Sequence, residues 1–439
     1  MSWLSGWRNR YILTIDSSKV DENLYDFPVY VELSSSTGQG SDDATPIFDE
    51  LASDDLRKRI AITTLSGSTE TECYVEIEDW DDASEKAYLW VKVPTVYSGI
   101  DTLLYLYYDA SHSDNTAYIG DSGDAVSQNV WDDNFVGVWH LAQDPSGGSD
   151  AIKDSTSNNN DGTSVGSMTS GDLVDGYTGK GLNFDGSNDS INCGNSSVFN
   201  ITNNLTMEAW AKPHDFSSET YQKIAIKNAP TNTMVYQVQT GSTAGTTSPV
   251  YFNVRTPGGT DTVDTNGSIS EGSYRYFAGT FDSGTMKFFL DGSETDSKLD
   301  AGATINTSSD DFSIGDEDTN VNAFDGEICE VRVSNTVRSD AWIKATRYSS
   351  DNNLITFSTY SGYFDGYVYE LGTPVIRALN LHNRLNGYLM NSTTSSGNGY
   401  YYLETTYSGS HYIVCLDDAA GEDYNDLIIG NVYPTTISG

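Results

Sequence analysis

The stretch GKGLNFDGSNDSINCG (residues 179–194), followed by LTMEAWAKP (205–213), carries the clearest structural signal in the sequence. In the first stretch, F-x-G marks a tight turn between two short strands. The second reads as a strand whose tryptophan supplies a large inward-facing ring. Further along, FFLDG (288–292) places Asp-Gly directly after an aromatic run, which is a hairpin signal. Together these features predict an antiparallel β-sandwich.

Similar short runs, separated by Gly, Asn, Asp and Ser, extend this pattern over residues 126–358 and predict one two-sheet jelly roll. A short helix is predicted near its end, with Ser339 as N-cap. Residues 1–125 alternate apolar and polar positions, which predicts a first β-sandwich module. Residues 361–439 contain no tryptophan but many tyrosines, and predict a third, small sandwich. The predicted fold class is all-β, with three consecutive β-sandwich or jelly-roll domains.

The chain is strongly acidic. It has 439 residues, of which 63 are acidic and 23 basic, and its formal net charge is −40. Such a chain repels phosphate backbones and anionic membrane surfaces, so we expect no nucleic-acid partner. No run approaches 18 apolar residues, so we expect no membrane insertion. A soluble surface, adaptation to a saline habitat and carboxylates that bind divalent cations all remain compatible with this charge.

The N-terminus and the cysteines bear on the compartment. Residues 1–16 have no apolar core and no cleavage pattern, so we expect no signal peptide. Release of assembled particles from a lysed host would be another way out of the cell. The cysteines are far apart and show no C-x-x-C spacing. Cys193 and Cys329 can pair, or all four thiols can be buried and free. The four are Cys73, Cys193, Cys329 and Cys415.

Several motifs follow one another in order through the middle domain. They are VWHL (138–141), DSTSNNNDGT (154–163), GKGLNFDGSNDSINCG (179–194), LTMEAWAKP (205–213), FFLDG (288–292) and IGDEDTNVNAFDGEICEVRVSN (314–335). This succession resembles the laminin G-like and pentraxin branch of the concanavalin A-like fold. The resemblance implies that the central domain is concanavalin A-like.

The flanking domains carry resemblances of their own. WRNRYILTID (7–16) and YVEIEDWD (74–81) resemble the module of unknown function that often precedes laminin G-like domains, although DDLRKRIAI (54–62) departs from its usual D-I-R-F. Residues 366–403 and 411–434 resemble the carboxypeptidase-regulatory or transthyretin-like sandwiches of phage tail and virion proteins.

The pentraxin resemblance implies a calcium site after the strand FSI. The equivalent loop supplies calcium ligands in those proteins, and here it contains Asp316, Asp318 and Asn320. A loop of this composition offers the oxygen ligands that calcium requires. Asp154, which begins a second acidic loop, is a further candidate. Ordinary solvated acidic turns are the alternative at both places.

Catalytic motifs are weak. The nearest pair of carboxylates for glycoside hydrolysis lies in EIEDWDD (76–82), which we interpret as an edge of exposed carboxylates. Glu327 and Glu330 have the wrong spacing for such a pair. The histidines show no spacing typical of a zinc site, and His140 is interpreted as a packed strand residue. No nucleophile elbow, P-loop or dinucleotide fingerprint occurs. We therefore predict that the protein is not an enzyme.

Tyrosines of the central domain are candidates for a platform on which sugar rings stack. They are Tyr221, Tyr236, Tyr251 and Tyr274. For each of them, a core position or a hydrogen-bonded hydroxyl is the alternative.

Three functions are compatible with these observations. The first is a virion structural protein on the outside of a tailed-virus particle, as a tail fibre, baseplate or head-decoration subunit. It would be assembled in the host cytoplasm as a homo-oligomer, contact other virion proteins and bind host surface glycans. The second is a prokaryotic cell-surface or secreted carbohydrate-binding adhesin. The third is a polysaccharide hydrolase.

Overall fold

The structure is a computed structural model of the chain. It describes residues 4, 6–7, 9–66, 69–217, 221–229, 233–241, 245–316, 322–359, 362–370, 373–383, 389–405, 411–416 and 427–432. The fold is nearly all β, as predicted. Two compact units are present, Met1–Asn9 with Leu13–Phe357, and Arg10–Ile12 with Ser358–Gly439.

The N-terminal part of the first unit contains two sheets. Its elements are β1 (Asn9–Ile15), β2 (Leu24–Leu33), α1 (Pro46–Leu51), β3 (Ile60–Ser66), β4 (Thr69–Glu72), β5 (Val75–Asp81), β6 (Lys86–Val96), β7 (Thr102–Tyr108) and β8 (Ile119–Asp121). In one sheet β1, β7, β3 and β4 are neighbours in that order. The other has the order β2-β6-β5-β8, with β8 parallel to β5.

The rest of the first unit is a sandwich of two antiparallel sheets. Its elements are β9 (Phe135–Trp139), β10 (Thr163–Val165), β11 (Leu173–Asp175), β12 (Lys180–Asp185), β13 (Ser190–Asn192), β14 (Asn204–Pro213), β15 (Lys223–Ala229), β16 (Thr233–Thr240), β17 (Thr247–Ser248), β18 (Val250–Thr256), β19 (Gly259–Asp264), β20 (Ile269–Ser270), β21 (Arg275–Asp282), β22 (Thr285–Leu290), β23 (Ser293–Lys298), β24 (Phe312–Ile314), β25 (Asp325–Ser334), α2 (Asp340–Ser350) and β26 (Ile355–Thr359).

The order of strands defines the two layers. A seven-stranded sheet has the order β10-β13-β24-β15-β16-β18-β19. An eight-stranded sheet has the order β11-β12-β25-β14-β21-β22-β23, with β9 also paired to β25. The main core contains side chains of both sheets, including the stacked rings of Trp139 and Phe312, whose centroids are 5.3 Å apart.

The tryptophan of LTMEAWAKP lies on the other side of its strand from the main core. Met207, Ala209 and Ala211 belong to that core, so strand alternation directs Trp210 outward. There it stacks on Tyr177, with ring centroids 3.8 Å apart, and packs in a second cluster with Ile343. The prediction of an inward ring was therefore wrong, because this sheet buries both of its faces.

Helix α2 and the N-terminal module cover this outer face. The helix begins after Ser339, whose hydroxyl accepts a hydrogen bond from the Trp342 amide, so the predicted N-cap is confirmed. The Trp342 ring packs edge-on against the ring of Phe27 in β2, with the two ring centroids 4.8 Å apart. The backbone amide of Tyr30, also in β2, donates to Ser349 Oγ at 2.8 Å. The eight-stranded sheet is therefore the packing surface for the N-terminal module.

The second unit contains a small core. Its elements are β27 (Gly362–Tyr367), β28 (Tyr369–Glu370), β29 (Thr373–Pro374), β30 (Ala378–Asn383), β31 (Leu389–Thr394), β32 (Tyr400–Thr405), β33 (His411–Cys415) and β34 (Leu427–Val432). The core comprises Phe364, Leu379, Leu381, Leu403 and Ile413. The resemblance of this unit to transthyretin-like sandwiches stays a prediction, as do the domain boundaries near residues 125 and 361.

Two further expectations concern the whole chain. Cys193 lies in the main core and Cys329 in the second cluster, and no disulfide joins them. Among the described residues, no helix combines the length and the apolar character needed to cross a membrane.

Arg338 provides a test of the packing beneath α2. Its guanidinium lies 4.2 Å from the ring centroids of both Phe135 and Trp342 and donates two hydrogen bonds to Asp132. Arg338→Met leaves a mostly buried carboxylate without its cation, so we expect it to lower the free energy of unfolding by about 3 kcal/mol in denaturant titrations. The control Lys287→Met, at a more exposed ion pair, should cost less than about 1 kcal/mol. Equal effects would contradict this packing.

Candidate functional site

The outer face of the seven-stranded sheet is polar. Pairing of β16 with β18 places Val238 opposite Phe252 in the core, and it therefore places Gln237 opposite Asn253 on the outside. Since the eight-stranded sheet is covered by α2 and the N-terminal module, this outer surface is the other broad sheet face of the sandwich.

Side chains that can form hydrogen bonds lie in register across this surface. Gln239 is opposite Tyr251 and Lys223, and Tyr251 is opposite Asp264. The Lys223 ammonium donates to Gln239 Oε1 at 2.6 Å. We call this surface the polar face, and it comprises Lys223, Gln237, Gln239, Tyr251, Asn253 and Asp264.

Two amide oxygens of the polar face are buried without a hydrogen-bond donor. Gln237 is 5% exposed and Asn253 is 6% exposed. Within the described part of the chain, neither Gln237 Oε1 nor Asn253 Oδ1 accepts a hydrogen bond. A buried acceptor left unsatisfied costs about 1–3 kcal/mol. The two acceptors lie on neighbouring strands and are shielded from solvent, so a ligand that carries hydroxyl donors must displace the side chains around them to satisfy them.

Two of the candidate tyrosines lie at this surface. Tyr251 belongs to the polar face, and its pKa is raised by burial and then by the negative charge of Asp264 and by Tyr221. Tyr221 is 43% exposed. By contrast, Tyr236 is buried in the core and donates to the Phe199 carbonyl at 2.9 Å. Tyr274 packs against the second cluster, on the other sheet.

The combination of groups is suited to a polyhydroxylated ligand. Amide oxygens accept hydrogen bonds from hydroxyl groups, the Lys223 ammonium donates to ring or hydroxyl oxygens, and tyrosine rings pack against the apolar faces of sugars.

The calcium candidates are placed apart from the polar face. Asp154 is fully buried, and its Oδ1 accepts hydrogen bonds from the amides of Val138 and Thr156. Its Oδ2 accepts from the Asn160 amide and the Thr156 hydroxyl. Four donors from the chain itself therefore already satisfy this carboxylate, and they hold the loop in place.

The other calcium candidates are less completely described. Asp316 is buried. Asp318 and Asn320 lie outside the described residues. Calcium binding in this loop stays a prediction.

The two glutamates of EIEDWDD are not exposed. Glu76 is fully buried and Glu78 is 8% exposed, so the predicted exposed edge was wrong. The reason is that β5 packs against the sandwich, where His140 and Glu330 are also buried. His140 follows β9 directly, and the sequence correctly indicated its burial. Its proximity to three carboxylates was missed, because the residues are far apart in the chain.

Specific donors hold these buried carboxylates. Trp131 Nε1 donates to Glu76 at 2.6 Å, and Trp90 Nε1 donates to Glu78 at 2.9 Å. Burial raises the pKa of Glu78 to about 8, opposed by the attraction of His140 and reinforced by the charge of Glu330.

Comparison with known families agrees with the architecture. Residues 185–344 match the family described as the concanavalin A-like lectin/glucanases superfamily. The chain contains a concanavalin A-like domain. Residues 60–140 match a domain of unknown function, DUF2341, which is therefore the module that precedes the concanavalin A-like domain. Among curated proteins, no sequence matches this chain.

Several solved structures match parts of this chain. Domain 4 of AbnA, a GH43 extracellular arabinanase from Geobacillus stearothermophilus in complex with arabinotriose, is 18% identical, with 48% of this chain and 97% of that chain covered and a TM-score of 0.36. The binding domain of Paraclostridial Mosquitocidal Protein 1 is 13% identical, with 69% and 88% covered and a TM-score of 0.38. A SAP-like pentraxin from Limulus polyphemus is 13% identical, with 34% and 71% covered and a TM-score of 0.28. Similarity at this level carries no information about function.

The hydrogen bonds of Asp154 predict a stability effect that does not require calcium. Asp154→Asn replaces one acceptor oxygen by an amide donor that faces other donors, so we expect the free energy of unfolding to fall by about 2–3 kcal/mol in chelator. Denaturant titration measures this loss. Asp150→Asn, at an exposed position of the same loop, is the control and should have little effect. A loss for Asp154→Asn that appears only with calcium present would contradict this account.

Proposed function

We propose that the protein is a non-enzymatic carbohydrate-binding protein whose concanavalin A-like domain binds a glycan on the polar face. The observation that carries the proposal is the pair of buried, donorless acceptors at Gln237 and Asn253. Sugar hydroxyls supply donors at the spacing of adjacent side chains on a sheet, and Tyr221 and Tyr251 provide rings beside them.

The charge of the polar face favours a neutral or weakly acidic glycan. Lys223 and Asp264 lie on the same surface, so neither sign of charge dominates there, although the chain as a whole is strongly acidic. The overall charge of −40 would oppose polyanionic polysaccharides at long range.

The buried position of Glu76 and Glu78 supports the absence of glycoside hydrolysis. A hydrolytic pair must flank the scissile bond of a bound polymer, so both carboxyl groups must be reached by the polymer. These carboxylates are enclosed between the N-terminal module and the sandwich, and they are held by tryptophan side chains.

Substitutions that keep the side-chain volume distinguish an effect on glycan binding from an effect on folding. Gln237→Met and Asn253→Leu remove the donorless oxygens while keeping the side-chain volume. Each should weaken glycan binding by about tenfold or more, since a lost hydrogen bond of about 1.4 kcal/mol has that effect. Stability should stay the same or rise, because an unsatisfied acceptor is removed. Glycan arrays followed by calorimetry measure affinity, and thermal melting measures stability.

The control for this pair is Gln128→Met, which changes an amide outside the polar face and should leave binding intact. Unchanged affinity in both polar-face variants would overturn the proposal. The bound polysaccharide should also keep its chain length during incubation with the native protein, and reproducible shortening would show hydrolysis.

We place this binding activity on the outside of a tailed-virus particle, where a homo-oligomer contacts host glycans and other virion proteins. The resemblance of residues 366–403 and 411–434 to virion sandwiches supports this placement. Antibodies against the protein should label intact particles in the electron microscope. Labelling of cell envelopes and never of particles would instead identify a prokaryotic surface adhesin.

A further inference from the structure

We propose that Glu78, His140 and Glu330 form a binding site for a divalent transition-metal ion, with zinc as the reference ion. The three residues come from different parts of the first unit: Glu78 from β5, His140 from the end of β9, and Glu330 from β25. The proposal is independent of glycan binding, because the site lies on the opposite sheet from the polar face.

The candidate ligand atoms lie close together. One ligand atom each of Glu78, His140 and Glu330 lies within 4.8 Å of the others, and all three side chains are buried, so an entering ion would replace the hydrogen bond between His140 and Glu330. His140 Nδ1 is 3.7 Å from the Glu78 oxygen and hydrogen-bonds to the Glu330 oxygen. An ion about 2.0–2.2 Å from each ligand needs ligand atoms about 3–4 Å apart. One imidazole and two carboxylates suit zinc and its neighbours better than calcium, which prefers oxygen ligands alone.

Each ligand is oriented by a second residue. His140 Nε2 lies 3.4 Å from Glu76 Oε1 without a hydrogen bond among the described residues, and a small rotation of the imidazole would bring the two into the carboxylate–histidine arrangement that supports metal-binding imidazoles. Trp90 Nε1 donates to Glu78, and the Arg332 guanidinium donates to the second oxygen of Glu330 at 2.6 Å. Both carboxylates therefore have the outer partners that metal ligands have.

Two of the proposed ligands, Glu78 and Glu330, lie where the strand pairing is irregular. The pairing of β5 with β6 shifts between Ile77 and Asp79, which makes Glu78 the extra residue of a bulge. The pairing of β14 with β25 shifts opposite Glu330, whose φ is +54°. A glutamate in the left-handed region is strained. Both irregularities aim a carboxylate at His140.

Around the proposed site, buried carboxylates outnumber buried basic side chains. Glu76, Glu78, Glu208 and Glu330 are buried carboxylates, and Arg332 is the buried guanidinium that neighbours them. A divalent ion supplies two further positive charges.

An adjacent cavity provides access. It has a volume of about 260 Å³, and Glu78 lies in its wall together with Asp54, Asp79 and Asp121. Arg57 also lies in its wall, where it pairs with Asp121, and the remaining carboxylates of the lining attract cations.

The test uses the untagged full chain. After chelation and dialysis, the protein is titrated with zinc, cobalt and calcium, and metal content, cobalt absorption and thermal melting are measured. We expect one zinc per chain, cobalt bands typical of nitrogen and oxygen ligands, and a melting temperature raised by zinc but not by calcium. Glu78→Gln should abolish stoichiometric binding, and Glu76→Gln should weaken it about 10–100-fold.

Glu327→Gln is the matched control, because it changes a half-buried carboxylate of the same strand outside the cluster, and it should bind zinc as the native chain does. Thermal melting without added metal identifies variants that fail to fold. If Glu78→Gln fails to fold, Glu330→Gln is the second ligand variant. Absence of stoichiometric zinc in the native protein, or zinc binding that survives both ligand variants, would overturn the proposal.

Discussion

Burial of both faces of the eight-stranded sheet is the constraint on which the rest of this structure depends. One face forms the main core with the seven-stranded sheet, and the other is covered by α2 and by β2 of the N-terminal module. Because a sheet covered on both sides cannot bind a ligand on its surface, we propose that the glycan binds on the outer side of the seven-stranded sheet. The same packing buries Glu76, Glu78, His140 and Glu330.

The sequence predicts the local structure well where the signal is local. Asp-Gly after an aromatic run indicated the hairpin of β22 and β23, and Ser339 indicated the start of α2. The alternation along β14 was also visible, but the direction of Trp210 was not. A strand that is buried on both faces has no polar side from which its inward face can be inferred.

The candidate site was predictable only in part. Tyr221 and Tyr251 were singled out by residue type, and the structure places both at the polar face. Gln237 and Asn253 were missed because an isolated amide has no local signal, and their pairing depends on the register between β16 and β18. Glu76 and Glu78 were misinterpreted for a related reason. Two carboxylates at alternate positions of a strand share one face, and this pattern indicates that the face is exposed. The indication fails where another module packs on that face.

The most direct measurement is a crystal structure of the chain with the glycan that it binds most tightly. The account predicts sugar hydroxyls about 2.7–3.2 Å from Gln237 Oε1 and Asn253 Oδ1, with a ring packed beside Tyr221 or Tyr251. A glycan bound elsewhere on the chain, with both amide oxygens still lacking a donor, would contradict it.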